Sequence, residues 1–260
     1  MRLRAQGVAM LHLSLIFFLL MAATPASAMV GGAPAADDFA RPAVMIVGSR
    51  GNFCTGTLIA RDLVLTAAHC VPAGSDIKLM QFDAQKQPNF RDTLRVERHP
   101  QFSQATFDNH RATADVALVK LAAPVQGQPA TLFGGTFSVA PGDRFTVAGY
   151  GLAERGNGKT GGALRSAGLI ATGKPGNLQI RLTDPAAGGE RAGLGACTGD
   201  SGGPVFRDDN GRHLVVGVVS WSTGPNNSEG CGGLTGVTPL SLYRGWIIDA
   251  ARKLGSPLTP

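Results

Sequence analysis

An all-β fold, a barrel or a sandwich, closed by one helix at the C-terminal end, is what this sequence predicts. Three observations carry that expectation. Glycine is abundant, at 36 of 260 residues, while aromatic residues make up only 6%. Apolar residues come in short runs rather than long helical stripes, and turn formers separate the runs. Many short strands punctuated by Gly, Pro and Asn build barrels or sandwiches, because each half-buried strand must cover its apolar face with another sheet.

Strands are expected at 43–49 (AVMIVGS), 55–60 (TGTLIA), 63–68 (LVLTAA), 115–121 (DVALVKL), 144–150 (RFTVAGY), 164–171 (LRSAGLIA), 178–182 (LQIRL) and 213–221 (HLVVGVVSW). Turn signals such as RGN, APVQGQP, RGNGKTGG and RDDNGR lie between them. The helix is expected at 241–254, SLYRGWIIDAARKL, with Leu242, Trp246, Ile247 and Ala250 on its apolar face. Arg252 and Lys253 fall in its last turn and Gly255 follows as a stop. No internal repeat is evident, and APVQGQPATLFGG (123–135) is the natural seam between two halves, 29–135 and 136–260.

The first 28 residues have the layout of a signal peptide: Arg2 and Arg4, an apolar stretch from Val8 to about Ala23, and the small residues Ala26-Ser27-Ala28. That stretch is shorter than the roughly 20 residues a membrane span needs. The expectation is a secreted protein, extracellular or periplasmic, with no membrane association after signal removal. Cleavage after Ala28 leaves 232 of the 260 residues, with 22 basic and 18 acidic side chains. A net charge of +4 without basic clusters gives no reason to expect nucleic acid as a partner.

Four cysteines, Cys54, Cys70, Cys197 and Cys231, suit an oxidising compartment. Three pairings are open; nearest neighbours, Cys54 with Cys70 and Cys197 with Cys231, close the shortest loops. A zinc site is the rival use, and the absence of any CxxC or closely paired Cys/His set speaks against it.

Three stretches carry chemistry: LTAAHC (65–70), DVALVKL and CTGDSGGPVF (197–206), each presenting one candidate side chain, His69, Asp115 and Ser201. A serine hydroxyl becomes a good nucleophile only when a base takes its proton. Imidazole does this near neutral pH, and a buried carboxylate fixes its tautomer and stabilises the imidazolium. The chain order His, Asp, Ser differs from that of α/β-hydrolases, and no GxSxG elbow lies in a strand-to-helix context.

LTAAHC, DVALVKL, GDSGGP and the VVSW stretch resemble the signature segments of the chymotrypsin/trypsin family of serine endopeptidases, and MVGG resembles that family's mature N-terminus. The resemblance covers nearly all of the chain from Met29 onward. It implies two six-stranded antiparallel β-barrels: one within 29–135 carrying His69 and Asp115, the other within 136–260 carrying Ser201 and the helix. It further implies Ser201 as nucleophile, His69 as general base and then acid, Asp115 as the orienting carboxylate, and the N–H groups of Gly199 and Ser201 as the oxyanion hole. Gly202 and Gly203 suit a tight turn where side chains would obstruct substrate. His99 and His110 lack such context and are expected at the surface or in loops.

In the resembling family, the residue six before the nucleophile shapes the primary pocket. Here it is Gly195, not an acid, with Ser220, Trp221 and Ser222 as the wall. A small or medium apolar residue before the cut bond is expected, unless Glu229 enters the pocket. The resemblance also implies that the amine of Met29, freed by cleavage, pairs with Asp200. Protein or peptide substrates and protein inhibitors are the expected partners, with a monomeric chain. No cofactor or metal is expected, since the stretch 74–90 offers only Asp76 and Asp83. Asn226 opens a glycosylation sequon that matters only in a eukaryotic source. The alternative from another class is a catalytically silent family member acting as a binding module.

Overall fold

The computed structural model describes residues 29–258 except 84, 86, 136, 137 and 174–177. The signal peptide expected at 1–28 lies outside the described residues. The chain enters through a two-residue strand β1 (Ala33–Pro34) and a single helical turn α1 (Asp37–Ala40). It then forms β2 (Ala43–Gly48), β3 (Phe53–Ala60), β4 (Leu63–Thr66), β5 (Ile77–Phe82), β6 (Pro88–Arg98), α2 (Gln104–Asp108) and β7 (Ala117–Leu121). Strands β2 to β7 close into an antiparallel barrel in the order β2-β3-β4-β7-β6-β5. Closure removes the edges that would otherwise leave backbone groups unpaired. Its interior is filled by Val44, Ile46, Leu58, Val64, Leu79, Val119 and Leu121.

The second half comprises β8 (Arg144–Gly149), β9 (Arg165–Ala171), β10 (Ile180–Thr183), β11 (Pro204–Asp209), β12 (Arg212–Ser222) and β13 (Leu234–Pro239). These strands follow the order β9-β10-β13-β12-β11-β8, and β8 pairs back onto β9 to close a second six-stranded barrel. Strand β1 adds to the outside of β9. Period-two patterning explains β9: Ala167, Leu169 and Ala171 point inward and Gly168 outward. Met29 is fully buried in this second core with Val147, Leu182, Val205 and Val237.

A third cluster joins the halves, with Leu65 and Leu118 from the first barrel, Phe206, Val215 and Val218 from the second, and Ile247 and Ala251 from α3 (Arg244–Lys253). Each fully buried side chain of this size contributes ~2 kcal/mol, so the cleft is framed by a shared core. Arg252 and Lys253 in the last turn of α3 offset the helix dipole, and Gly255, at φ 75°, ends it.

Two expectations need correction. Leu242 is 45% exposed rather than on the helix's apolar face, because a separate 3₁₀ turn, Leu240–Leu242, precedes α3. His99 lies in the loop after β6, one of its two expected places, but is buried there: its ring lies edge-on to Tyr243 and Trp246, 4.9 Å from each, and burial lowers its pKa. His110 is exposed, as expected.

Candidate active site

His69 sits in the single 3₁₀ turn Ala68–Cys70 that follows β4, and Cys70 is bonded to Cys54 on β3. The turn is pinned from both sides. Asp115 lies just before β7, at 1% exposure. Its Oδ1 accepts the backbone N–H of His69 at 3.0 Å, and its Oδ2 meets His69 Nδ1 at 2.8 Å. A carboxylate can only accept, so Nδ1 holds the ring proton and Nε2 keeps its lone pair. Ser220, on β12 of the other barrel, donates its hydroxyl to the same Oδ2 at 2.6 Å. Both barrels therefore hold the carboxylate that holds the imidazole.

Ser201 follows Asp200 in the turn before β11 and lines one cavity of about 330 Å³ with His69 and Gly199. Ser201 Oγ and His69 are not hydrogen-bonded to each other, and Nε2 has Cys70 Sγ 3.7 Å away. Such contacts commonly tighten only when substrate binds. Among the hydrogen bonds of the described residues, neither the N–H of Gly199 nor that of Ser201 has an acceptor. Gly199 reaches this geometry at φ 95°, and a Cβ there would run into the Phe53 ring. Gly202 departs from expectation: a side chain on it would strike Thr66 and the Thr55 carbonyl of the first barrel, not the substrate.

One side of the cavity wall is Ala196, Cys197, Thr198, Val219, Ser220, Trp221 and Ser222, and no Asp or Glu is among the lining residues. Ala196 N–H donates to Thr235 Oγ1 at 3.0 Å, which ties the pocket's back wall to β13. Glu229, weighed as an intruder into this pocket, is instead 90% exposed and ion-paired with Arg155 at 2.7 Å.

Asp200 is fully buried. Its carboxylate accepts the N–H groups of Gly151 and Cys197, each at 2.8 Å, and none of the ion pairs among the described residues reaches it. Burial pushes its pKa up to about 7, against the pull of those two N–H groups. The segment beginning at Met29 docks on the pocket segment five residues upstream of Asp200 in sequence: Val30 bridges to Gly195, and Gly195 N–H donates to the Val30 carbonyl at 3.3 Å.

The family model described as Trypsin matches residues 29–247. The chain belongs to the trypsin family. A trypsin-like protease of Streptomyces glaucescens is 32% identical to it over 235 residues, which cover 87% of this chain and 83% of that protein.

Both disulfides of this trypsin-family chain serve the cleft. Cys54–Cys70 holds the His69 turn, and Cys197–Cys231 ties the segment before Ser201 to the loop before β13. Among the described residues the one His/Cys/Asp/Glu group close enough to share a metal ion is Cys54, His69 and Cys70. Its two sulfurs are spent on the disulfide, so they offer no thiolates. Three residues at the site escaped the sequence reading. Phe107, on α2, stacks on the His69 ring at 4.4 Å and 15°. Thr55 donates its hydroxyl to the Gly199 carbonyl at 2.8 Å, and Arg181 stacks over Trp221 at 5.8 Å. A Ser103 cap before QATFD was the available signal for α2; nothing local marks Thr55 or Arg181.

Proposed function

We propose that the chain is a secreted serine endopeptidase that cleaves peptide bonds through an acyl-enzyme. Ser201 Oγ attacks the scissile carbonyl while His69 Nε2 takes its proton, then returns it to the leaving amine; water repeats the cycle to release the acyl group. Asp115 holds the imidazole in the required tautomer and stabilises its charged form. The N–H groups of Gly199 and Ser201 receive the developing oxyanion, a contribution of ~3 kcal/mol for each well-aimed donor. The observation that carries this reading is the Asp115 carboxylate, gripped by His69 from one barrel and Ser220 from the other beside a cavity that holds Ser201.

A cavity without a carboxylate favours a small or medium apolar residue before the cut bond, because a Lys or Arg buried there would stay unpaired, at a cost of several kcal/mol. Export ends with cleavage after Ala28. The freed Met29 amine then supplies the cation that the buried Asp200 lacks, and the pair shapes the pocket and the oxyanion hole. Docking of Val30 against Gly195, in the segment that leads to Asp200 and Ser201, supports this.

A fluorophosphonate probe tests the reading together with a cleavage profile on a peptide library. The processed protein is expected to be labelled at Ser201 and to cut after small or medium apolar residues. Absence of labelling points to a silent binding module, and dominant cleavage after Arg or Lys overturns the pocket assignment.

A further inference from the structure

Beside the catalytic cavity lies a second one of about 440 Å³, and Phe107, Trp221 and Ser222 line both. The edge that borders the first pocket therefore runs on, through Ser222 and Thr223, into the second. Its walls carry two guanidinium groups, Arg111 from the loop after α2 and Arg181 from β10. Neither takes part in an ion pair among the described residues. The acid on the rim, Glu229, is already paired with Arg155. Arg181 lies over the Trp221 ring, and its Nε is buried with no hydrogen-bond partner. Stacking uses the face of a guanidinium and leaves its edge, with the N–H fork, to bind an acceptor.

We propose that this second cavity is a subsite for a carboxylate side chain of the substrate, held by Arg111 and Arg181. This rests on the endopeptidase reading, in which the residue before the scissile bond fills the catalytic cavity; the wall shared by the two cavities, Trp221 and Ser222, would then lead the preceding residues toward the second. The acidic residue then lies two or more positions before the cut bond. A buried donor without an acceptor is costly, and a carboxylate satisfies it while neutralising two like charges that face one cavity. The enzyme's preference would thus have two parts, an uncharged residue at the bond and an acidic one upstream.

Quenched fluorescent peptides that differ only by Glu, Gln or Lys at the second, third or fourth position before the bond test this, each assay normalised to fluorophosphonate labelling. At one of these positions Glu is expected to exceed Gln in kcat/KM by about fivefold, with Lys lowest. The gap is expected to shrink in high salt. Arg111→Ala, at an exposed position, and Arg181→Gln are each expected to narrow the Glu/Gln ratio. Labelled enzyme that shows no Glu preference at any position, or keeps its preference in both variants, overturns the subsite and leaves the endopeptidase reading standing. Protein that is neither labelled nor active on any peptide overturns that reading, and the subsite with it.

Discussion

Each barrel brings one buried carboxylate to the cleft, and the two are held in opposite ways. Asp115, at the start of β7, is met by His69 through both backbone and ring and by Ser220. Asp200, one residue before Ser201, is met by two backbone N–H groups, and burial raises its pKa to about 7. One carboxylate has a partner that can become a cation whenever its ring takes a second proton. The other sits in the core with no ion-pair partner among the described residues. The half around Asp115 is thus complete in its side-chain partners, while the half around Asp200 is incomplete: among the described residues only backbone N–H groups meet its carboxylate. Under the proposed activation, a cut after Ala28 would supply the missing cation.

The strongest test of this contrast is to break the complete half. Ser201→Ala is expected to lower kcat/KM by about 10⁵-fold or more. Asp115→Asn is expected to cost about 10⁴-fold, because the amide can donate to Nδ1 and so favours the wrong tautomer. Steady-state kinetics on one apolar-site peptide checks both. A loss below about tenfold for Asp115→Asn would show that the His69 contact does not govern the base.

The incomplete half is tested by charge. Asp200→Asn in the processed enzyme is expected to lower activity by about 10²–10³-fold, the cost of a displaced oxyanion donor, with the His69–Asp115 contact intact. The pH dependence of stability separates the two forms of the chain. In protein still extended before Met29, Asp200 binds its proton more tightly folded, near 7, than at its ordinary 3.8. Stability from this group is then full below that ordinary value and falls as pH rises through about 7. In protein that begins at Met29, the amine titrates near 8 when unfolded and higher when paired. Its contribution is full below that unfolded value and is lost as pH climbs through the folded one. Calorimetry from pH 4 to 10 is therefore expected to show the two forms diverging near neutrality, with the processed form more stable. Superimposable curves would remove Met29 from the role.

How much of this was legible in the sequence depended on where the information lies. His69, Asp115 and Ser201 stand in compact motifs, and strands such as β2 and β9 show themselves by short apolar runs or alternation. Strand β6 stayed hidden because most of its residues face solvent, Phe90 and Leu94 included, and so give no periodicity. Strand β11 is masked by the GDSGGPVF motif in which it begins, and β13, LTGVTP, is poor in large apolar residues because Gly236 lies against the Trp221 ring. Phe107 over His69 and Arg181 over Trp221 are contacts between residues far apart in sequence. No local pattern encodes them, since each depends on which strands the closed barrels bring together.

A third carboxylate sharpens the comparison by its expected lack of effect. Glu229 stands five residues past Gly224 in the loop before β13, close enough in sequence to have entered the primary pocket and reversed its charge. Its side chain is instead 90% exposed and spends its charge on Arg155, where solvent screening leaves an ion pair little to contribute. Neutralising it should therefore leave the choice of residue at the cut bond alone. In Glu229→Gln the ratio of cleavage after apolar residues to cleavage after Arg or Lys is expected to stay within about twofold of the parent, since exposed pairs contribute ~0.2–1 kcal/mol at most. The same substitution removes the one acid that lines the neighbouring cavity, so any response should fall on upstream acidic residues and strengthen their preference. A parent enzyme that cuts after Arg or Lys and loses that activity in Glu229→Gln would mean that the loop swings Glu229 inward on binding, and that carboxylate would then join Asp115 and Asp200 as a working part of the cleft.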